Sequence, residues 1–110
     1  MNKAKVIQSA RQVLNTEASA IKNLAKKLDN NFYKAVNLIN NLKEKLIISG
    51  VGKSGNIAAK IAASFTSTGI PAIFLNPVDA SHGDMGIIKP GDILIILSNS
   101  GESHELNDLI

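Results

Sequence analysis

Apolar residues in the first 42 positions recur every three to four residues, which is the spacing of one helix face. A first predicted helix carries this pattern from Val6 to Leu28, with an interruption near Asn15 and Thr16. Asp29-Asn30-Asn31 then supplies a stop and an N-cap. A second predicted helix follows, with apolar positions at Phe32, Ala35, Val36, Ile39 and Leu42. The chain is therefore predicted to begin with two helices over residues 3–42.

Continuous apolar runs replace this periodicity from residue 45 onwards. Residues 46–49, 72–75 and 93–97 are each long enough for a strand, and the third run is typical of a strand buried on both faces. Between the first two runs lies a predicted helix that ends at Gly69 and Pro71. Its predicted apolar face consists of Ile57, Ala58, Ile61, Ala62 and Phe65.

A strand, a helix and a strand within about thirty residues have the size of one right-handed crossover unit with parallel strands. The third strand and the helices on either side complete the pattern. We therefore expect an α/β fold, with a three-layer α/β/α parallel sheet over residues 45–110 that is preceded by the two helices.

Two strand-exit loops are rich in glycine and serine. The first is Gly50-Val51-Gly52-Lys53-Ser54-Gly55, where three glycines allow a sharp turn with N–H groups presented at the start of a helix. Lys53 and Ser54 add a charge and a hydroxyl donor. The second loop contains Ser98, Asn99, Ser100 and Ser103. Because parallel strands end at one edge of a sheet, the two loops predict a shared phosphate site.

The spacing of the glycines separates the other interpretations of the first loop. A nucleotide-triphosphatase P-loop needs a glycine five positions before Gly52, where Ile47 stands, and is excluded. Gly50, Gly52 and Gly55 match G-x-G-x-x-G, but the acid that a dinucleotide site needs about twenty residues later is missing, since the first acid there is Asp79. A glycine turn shaped only by tight packing, with serines as ordinary helix caps, remains the structural alternative.

Charge is distributed unevenly along the chain, whose net charge is +3. Nine cations and three acids give residues 1–45 a charge of +6, and three lysines and six acids give residues 46–110 a charge of −3. The basic half has neither a clustered stripe nor stacking aromatics, so solvated helix faces are expected rather than a nucleic-acid site.

Composition further limits the kinds of site and of protein that this sequence can represent. Without cysteine the chain has no disulfide and no thiolate metal site, and we expect no cofactor. No signal peptide or apolar run of eighteen residues is present, so we expect a cytoplasmic protein that does not enter a membrane.

Three segments together resemble one family. GVGKSGNIAAKIAASFTSTGIPAIFLNP, DASHGDMG and LSNSGESHE are similar to the SIS (sugar isomerase) domain, and closely so to arabinose-5-phosphate isomerases of the KpsF/GutQ type. The resemblance implies a SIS-type sheet and interconversion of D-arabinose 5-phosphate and D-ribulose 5-phosphate through an enediol. It also implies a place at the entry to the eight-carbon sugar acid of lipopolysaccharide, in a homo-oligomer of the bacterial cytoplasm.

Such an isomerase needs ring opening, a base for the C2 proton and donors for the enediolate oxygens. The resemblance implies Glu105 as the base or proton carrier, Lys53 beside the negative charge, and His82 at ring opening or a sugar hydroxyl. Alternatively, Glu105 is a solvated acid near the start of a helix, which is the role that we assign to Glu102. The residues implied in substrate binding are Gly52, Ser54, Ser98, Asn99, Ser100, Ser103, Gly69 and Ile70.

The residues Gly69, Ile70 and Asn76 limit what the resemblance implies for substrate and metal binding. Gly69 and Ile70 lie at the opposite edge of the predicted sheet, so they reach a sugar only from a neighbouring subunit. Some relatives hold a metal with a histidine where this sequence has Asn76, an amide that coordinates weakly, so no metal site is predicted.

The family's isomerase domain continues beyond the matching segments, with a further catalytic histidine, and its members often end in two CBS modules. We therefore interpret residues 1–110 as the amino-terminal part of one SIS domain without CBS modules. The chain is either a fragment or the product of a shortened gene, and we expect it to have little or no activity alone. The alternative function is a non-catalytic sugar-phosphate-binding module, although Lys53, His82 and Glu105 together favour an enzyme. A weaker alternative is a relic that does not fold.

Overall fold

The computed structural model describes residues 1–102 and 104–110, which form two units, Met1–Val36 and Asn37–Ile110. The helices are α1 (Lys3–Lys27), α2 (Asn30–Asn40), α3 (Lys53–Ser67) and α4 (Pro77–Ser81), and the strands are β1 (Leu46–Gly50), β2 (Ala72–Leu75) and β3 (Ile93–Leu97). Two 3-10 helices span Asp84–Ile87 and His104–Leu109. The predicted α/β class is confirmed, with all three strands where the apolar runs placed them.

The first unit contains α1 and most of α2. The side chain of Asn2 caps α1 by accepting the N–H of Lys5 at 3.3 Å. Asp29 starts α2, because its Oδ1 accepts the N–H groups of Asn31 at 2.9 Å and Phe32 at 3.3 Å. The predicted interruption of α1 near residues 15 and 16 is wrong. Asparagine and threonine each cost a helix less than about 0.7 kcal/mol, which is too little to break it.

The three strands form one parallel sheet in the order β2-β1-β3. Leu46 is in register with Ala72 on one side and Ile93 on the other. Every residue of the central strand β1 is buried. The run 93–97 was predicted to be buried on both faces, but β3 is only half-buried because it lies at the edge of the sheet.

Both faces of the sheet are covered, which gives the three layers. On one face, Leu46 and Ile48 pack against Ala58 and Ala62 of α3. On the other face, Ile47 packs with four buried residues that follow β1 in the chain, Leu75, Ala80, Leu106 and Leu109. Alternate residues of β1 thus supply two separate cores, as the period of a strand requires.

The predicted apolar face of α3 needs one correction. Ala58 and Ala62 are buried, whereas Ile57 is 57% exposed. A helix turns about 100° per residue, so Ile57 lies well to the side of the face that Ala58 and Ala62 turn towards the sheet.

Helix α3 ends where the glycine and proline that follow it predict an end. Gly69 adopts φ +90° and donates its N–H to the carbonyl of Thr66, while the N–H of Ile70 bonds to the carbonyl of Phe65, both at 3.1 Å. Ile70 and Phe65 also pack into the same core. This is a Schellman termination with its hydrophobic contact, and it accounts structurally for Gly69 and Ile70.

No helix in the part of the chain that the structure describes has the length and apolar character needed to span a membrane.

A buried carboxylate joins the starts of β1 and β3. Only 2% of the Asp92 side chain is exposed, and it accepts the Lys45 ammonium at 2.7 Å. It also accepts the N–H groups of Lys89 at 2.7 Å and Lys45 at 3.2 Å. The hydrogen bond from the Lys45 side chain, aided by these N–H groups, holds the pKa of Asp92 below its ordinary value although burial opposes this.

We expect Asp92→Asn to lower stability at neutral pH and to flatten its decline in acid. Because the folded pKa lies below the unfolded value of about 3.9, Asp92 stabilises the fold above about pH 4, and this is lost as pH falls through the folded pKa. Urea unfolding between pH 3 and pH 7 measures this. The exposed Asp84→Asn should keep the parent's dependence, and an unchanged acid limb in Asp92→Asn contradicts the assignment.

Candidate functional site

The first strand-exit loop brings β1 and α3 into direct backbone contact. A Cβ atom on Gly55 would lie 2.6 Å from the carbonyl oxygen of Gly50. A Cβ atom on Gly50 would lie 2.9 Å from the carbonyl of Ser54. Tight packing therefore accounts for these two glycines, as the structural alternative supposed.

Glycine is needed at position 52 for a different reason, which is its backbone conformation. It occupies the N-cap position of α3 with φ +60° and ψ −125°, a conformation that side chains with a Cβ rarely adopt. No described atom lies within 4 Å of where its Cβ would be, and no side chain of the described residues caps α3. The N–H of Gly55 bonds to the carbonyl of Val51 at 3.4 Å. The N–H groups before it in the first turn have no side-chain cap, so an anion can approach them in the manner of a phosphate-binding helix start.

A cleft of about 390 Å³ joins this helix start to the second loop. Its volume falls within the range of about 300–1,000 Å³ found for small-molecule sites. Polar side chains come from both loops, and aliphatic side chains form the walls. The lining residues are Ser54, Ile57, Ile96, Leu97, Ser98 and Asn99. The exposure of Ile57 follows from its place in this wall.

Hydrogen bonds within the serine loop fix its shape. The hydroxyl oxygen of Ser98 accepts the N–H of Gly101 at 2.9 Å, and that of Ser100 accepts the N–H of Glu102 at 3.1 Å. Gly101 adopts φ +72°, which closes the turn. Two serines therefore cap their own loop. Ser100 does not line the cleft, and Ser103 lies outside the described residues.

The three residues predicted for catalysis are exposed, and none of them lines this cleft. Lys53 is the first residue of α3, His82 follows α4, and Glu105 is the second residue of the last 3-10 helix. The helix predicted to follow the third strand is thus a 3-10 helix that begins at His104, held by the burial of Leu106 and Leu109.

Gly69 and Ile70 lie away from the cleft. They precede β2, and the next residue, Pro71, accepts the N–H of Leu46 at 2.8 Å where β1 begins. This is the edge of the sheet where the strands start, whereas the cleft lies where β1 and β3 end. The sequence placed these two residues at the same opposite edge.

Asn76, which follows β2, has a structural role. Its side-chain oxygen accepts the N–H of Val78 at 2.9 Å and thereby caps α4. The described residues contain no group of three or more His, Asp or Glu side chains that could hold a metal ion. Asp79 lies within α4 instead of at the strand end, so it does not occupy the position of a dinucleotide-binding acid.

Sequence reasoning missed one buried polar residue and the walls of the cleft. Ser49 is fully buried, and its hydroxyl donates to the carbonyl of Leu75 at 2.6 Å, which ties the end of β2 to the central strand. The serine in an otherwise apolar run was the available sign. Ile57, Ile96 and Leu97 gave no such sign, because aliphatic residues are expected in any core.

Several known proteins are similar to this chain. The model of the SIS domain family matches residues 38–110. Arabinose 5-phosphate isomerase KpsF of Escherichia coli O6:H1 is 47% identical over 106 residues, which are 96% of this chain and 32% of that protein. Arabinose 5-phosphate isomerase KdsD of Yersinia pestis is 46% identical over 103 residues, which are 94% of this chain and 31% of that protein.

A solved structure has the same fold. The protein c3406 of E. coli CFT073, in complex with arabinose 5-phosphate, superposes with a TM-score of 0.91 at 35% identity, covering 96% of this chain and 56% of that one. The chain spans about a third of the length of the curated relatives that it matches.

Proposed function

Because the chain belongs to the SIS domain family, we propose that it is the amino-terminal part of an aldose–ketose isomerase that converts D-arabinose 5-phosphate to D-ribulose 5-phosphate. One observation carries this proposal. The cleft lies between the uncapped start of α3 and the serine loop, with Ser54 and Asn99 in its lining. The names of the KpsF and KdsD relatives, and the arabinose 5-phosphate in the c3406 complex, support the choice of sugar.

The cleft suits the phosphate end of such a sugar. The N–H groups in the first turn of α3 carry the positive end of the helix dipole. The Ser54 hydroxyl and the Asn99 amide add neutral donors, and Gly52 leaves the approach open. The aliphatic side chains of Ile57, Ile96 and Leu97 form apolar walls beside these donors.

The reaction moves a proton between two carbons. Glu105 takes the proton from C2 as the aldehyde oxygen gains one from water, which gives the enediol. It then returns a proton to C1 as the C2 hydroxyl releases its proton to water and becomes the ketone. Lys53 stabilises negative charge on the oxygens, and His82 opens the ring or binds a sugar hydroxyl. Ser98, Ser100 and Ser103 complete the substrate contacts.

Since no predicted catalytic residue lines the cleft, the active site needs groups from elsewhere. We place them in the rest of the isomerase domain and in a neighbouring subunit of a homo-oligomer, which would supply Gly69 and Ile70. The 110 residues alone should therefore turn over little substrate. Their place is the bacterial cytoplasm, at the entry to the eight-carbon sugar acid of lipopolysaccharide, with no cofactor, nucleic acid or membrane as a partner.

Millimolar arabinose 5-phosphate should raise the thermal midpoint of the 110-residue chain. A ligand present at 100 times its Kd stabilises the folded state by about 2.7 kcal/mol, which corresponds to several degrees for a domain of this size. Differential scanning fluorimetry measures the shift. Inorganic phosphate should give a smaller shift and unphosphorylated arabinose none.

A matched pair of variants locates the binding. Ser54→Asp should abolish the shift because the new carboxylate repels the phosphate. Ser64→Asp, at an exposed position later on α3, should retain it. Equal shifts in the two variants would show that the phosphate binds elsewhere.

A non-catalytic sugar-phosphate-binding module is the second candidate. It is favoured by one observation, that the polar loop residues line the cleft while Lys53, His82 and Glu105 do not. Both candidates predict the thermal shift, and they differ in what Glu105 does.

A further inference from the structure

Two of the three residues proposed for catalysis lie on segments that pack against each other. His82 directly follows α4, and Glu105 is the second residue of the last 3-10 helix. The two elements are in contact, and they share one buried core, to which α4 contributes Ala80 and the 3-10 helix contributes Leu106 and Leu109. The packing of these two short segments therefore decides where His82 lies relative to Glu105.

The apolar part of this packing does not fix one register. The hydrophobic effect that buries Leu106 and Leu109 is non-directional. Helix α4 has five residues and the last 3-10 helix has six, and helices this short are not stable by themselves. A directional contact is needed to fix how one segment lies on the other.

A hydrogen bond between side chains supplies a directional contact. The hydroxyl of Ser81, the last residue of α4, donates to Oδ2 of Asp108 at 2.8 Å. The carbonyl oxygen of Pro77, one turn earlier in α4, lies 3.2 Å from the same hydroxyl. The hydroxyl has one proton, and the bond to the carboxylate is both the shorter and the charge-assisted one. Ser81 therefore links α4 to the 3-10 helix.

Helix geometry connects this bond to both residues proposed for catalysis. A 3-10 helix has three residues per turn, so side chains three positions apart lie above one another. Glu105 and Asp108 therefore share one row, about 6 Å apart along the axis at a rise of about 2.0 Å per residue. The bond at Asp108 thus fixes Glu105 one turn away. At its other end it fixes His82, which directly follows Ser81.

We propose that Ser81 and Asp108 are positioning residues, whose hydrogen bond sets the placement of His82 relative to Glu105. This role rests on the proposed function, in which both of the positioned residues act on the same sugar. Groups that act together on one substrate need a fixed geometry, because a displacement of about 1 Å can lower turnover by about 10²-fold. Ser81 and Asp108 act only through the residues that they hold.

The placement is tested first in the 110-residue chain, which has no cysteine of its own. Spin labels on His82→Cys and Glu105→Cys report the distance between the two positions by electron paramagnetic resonance. Ser81→Ala should make the distance distribution about twice as wide or wider, because the apolar packing that remains is non-directional. Ser81→Thr keeps the hydroxyl and should restore the parent distribution. An unchanged distribution in Ser81→Ala overturns the proposal.

Turnover is tested in residues 1–110 joined to the remainder of a KpsF-type isomerase domain. Ser81→Ala and Asp108→Ala should each lower kcat about 10-fold and leave KM for arabinose 5-phosphate within about twofold, because they disturb the reacting geometry and not the binding of the phosphate. The double variant should lose no more than either single variant, since all three lack the same bond. Asn107→Ala is the matched control, at an exposed position next to Asp108, and should retain the parent kcat.

The outcomes separate this role from the proposed function. Additive losses in the double variant, an equal loss in Asn107→Ala, or a loss that Ser81→Thr does not restore would overturn the positioning role. A joined chain without turnover would instead reject the isomerase function. The spin-label distances, which need no turnover, would then decide alone whether the bond between Ser81 and Asp108 sets the placement.

Discussion

Gly55→Ala is expected to lower the free energy of unfolding by about 2–3 kcal/mol, the upper part of the range for overpacked interiors. The new Cβ would lie 2.6 Å from the carbonyl oxygen of Gly50 and near the ring of Phe74. The first contact is with backbone, so relief requires the first turn of α3 to move away from β1. Because whole domains are stable by only about 5–15 kcal/mol, the loss is large.

Gly86→Ala is the matched control. Its Cβ would meet no described atom within 4 Å, and Gly86 is not among the glycines with positive φ, so its effect should stay within about 0.5 kcal/mol. Urea unfolding followed by circular dichroism measures both variants. Equal midpoints would mean that the contact between β1 and α3 is less rigid than the structure indicates.

The sequence was sufficient for the strands and their connections. Apolar runs bounded by polar residues, glycine or proline gave β1, β2 and β3 to within a residue, because buried parallel strands tolerate few polar side chains. The glycine and proline that follow α3 predicted where this helix ends, since a Schellman termination needs a residue with positive φ.

Burial was harder to predict, because it depends on neighbours that periodicity does not identify. The composition of β3 is that of a central strand, yet the sheet order places it at an edge. Ile57 has the spacing of a core residue but walls a cleft. Nothing in the sequence near Asp92 identifies a partner for it, and only the approach of Lys45 from 47 residues away makes it a buried ion pair.

For the site, the sequence predicted which loops meet but not which side chains converge. Parallel strands end at one edge, so Ser54 and the serine loop had to be near one another, and three of the eight predicted binding residues line one cleft, Ser54, Ser98 and Asn99. Where Lys53, His82 and Glu105 point depends on the paths of loops and short helices. Neither apolar periodicity nor glycine spacing specifies these paths, so the catalytic assignment stays a prediction.

Glu105→Gln separates the enzyme from the binding module. In residues 1–110 joined to the remainder of a KpsF-type isomerase domain, we expect this substitution to reduce turnover by about 10²–10⁴-fold, the usual contribution of general acid–base catalysis. The amide keeps the size of the side chain but cannot accept the C2 proton. A coupled assay for ribulose 5-phosphate measures turnover, and the thermal shift with arabinose 5-phosphate measures binding, which should be unchanged.

Glu102→Gln is the matched control, because both glutamates are exposed and lie within three residues of each other. It should retain turnover to within about twofold, since a solvated acid near a helix start contributes at most about 1 kcal/mol. Full turnover in Glu105→Gln would remove the proton-carrier role, whereas binding without turnover in the unsubstituted joined chain would favour the binding module. The side chain next to Glu105, Leu106, is buried against α4. It anchors this segment in both variants, so a difference between them reports chemistry rather than a loss of structure.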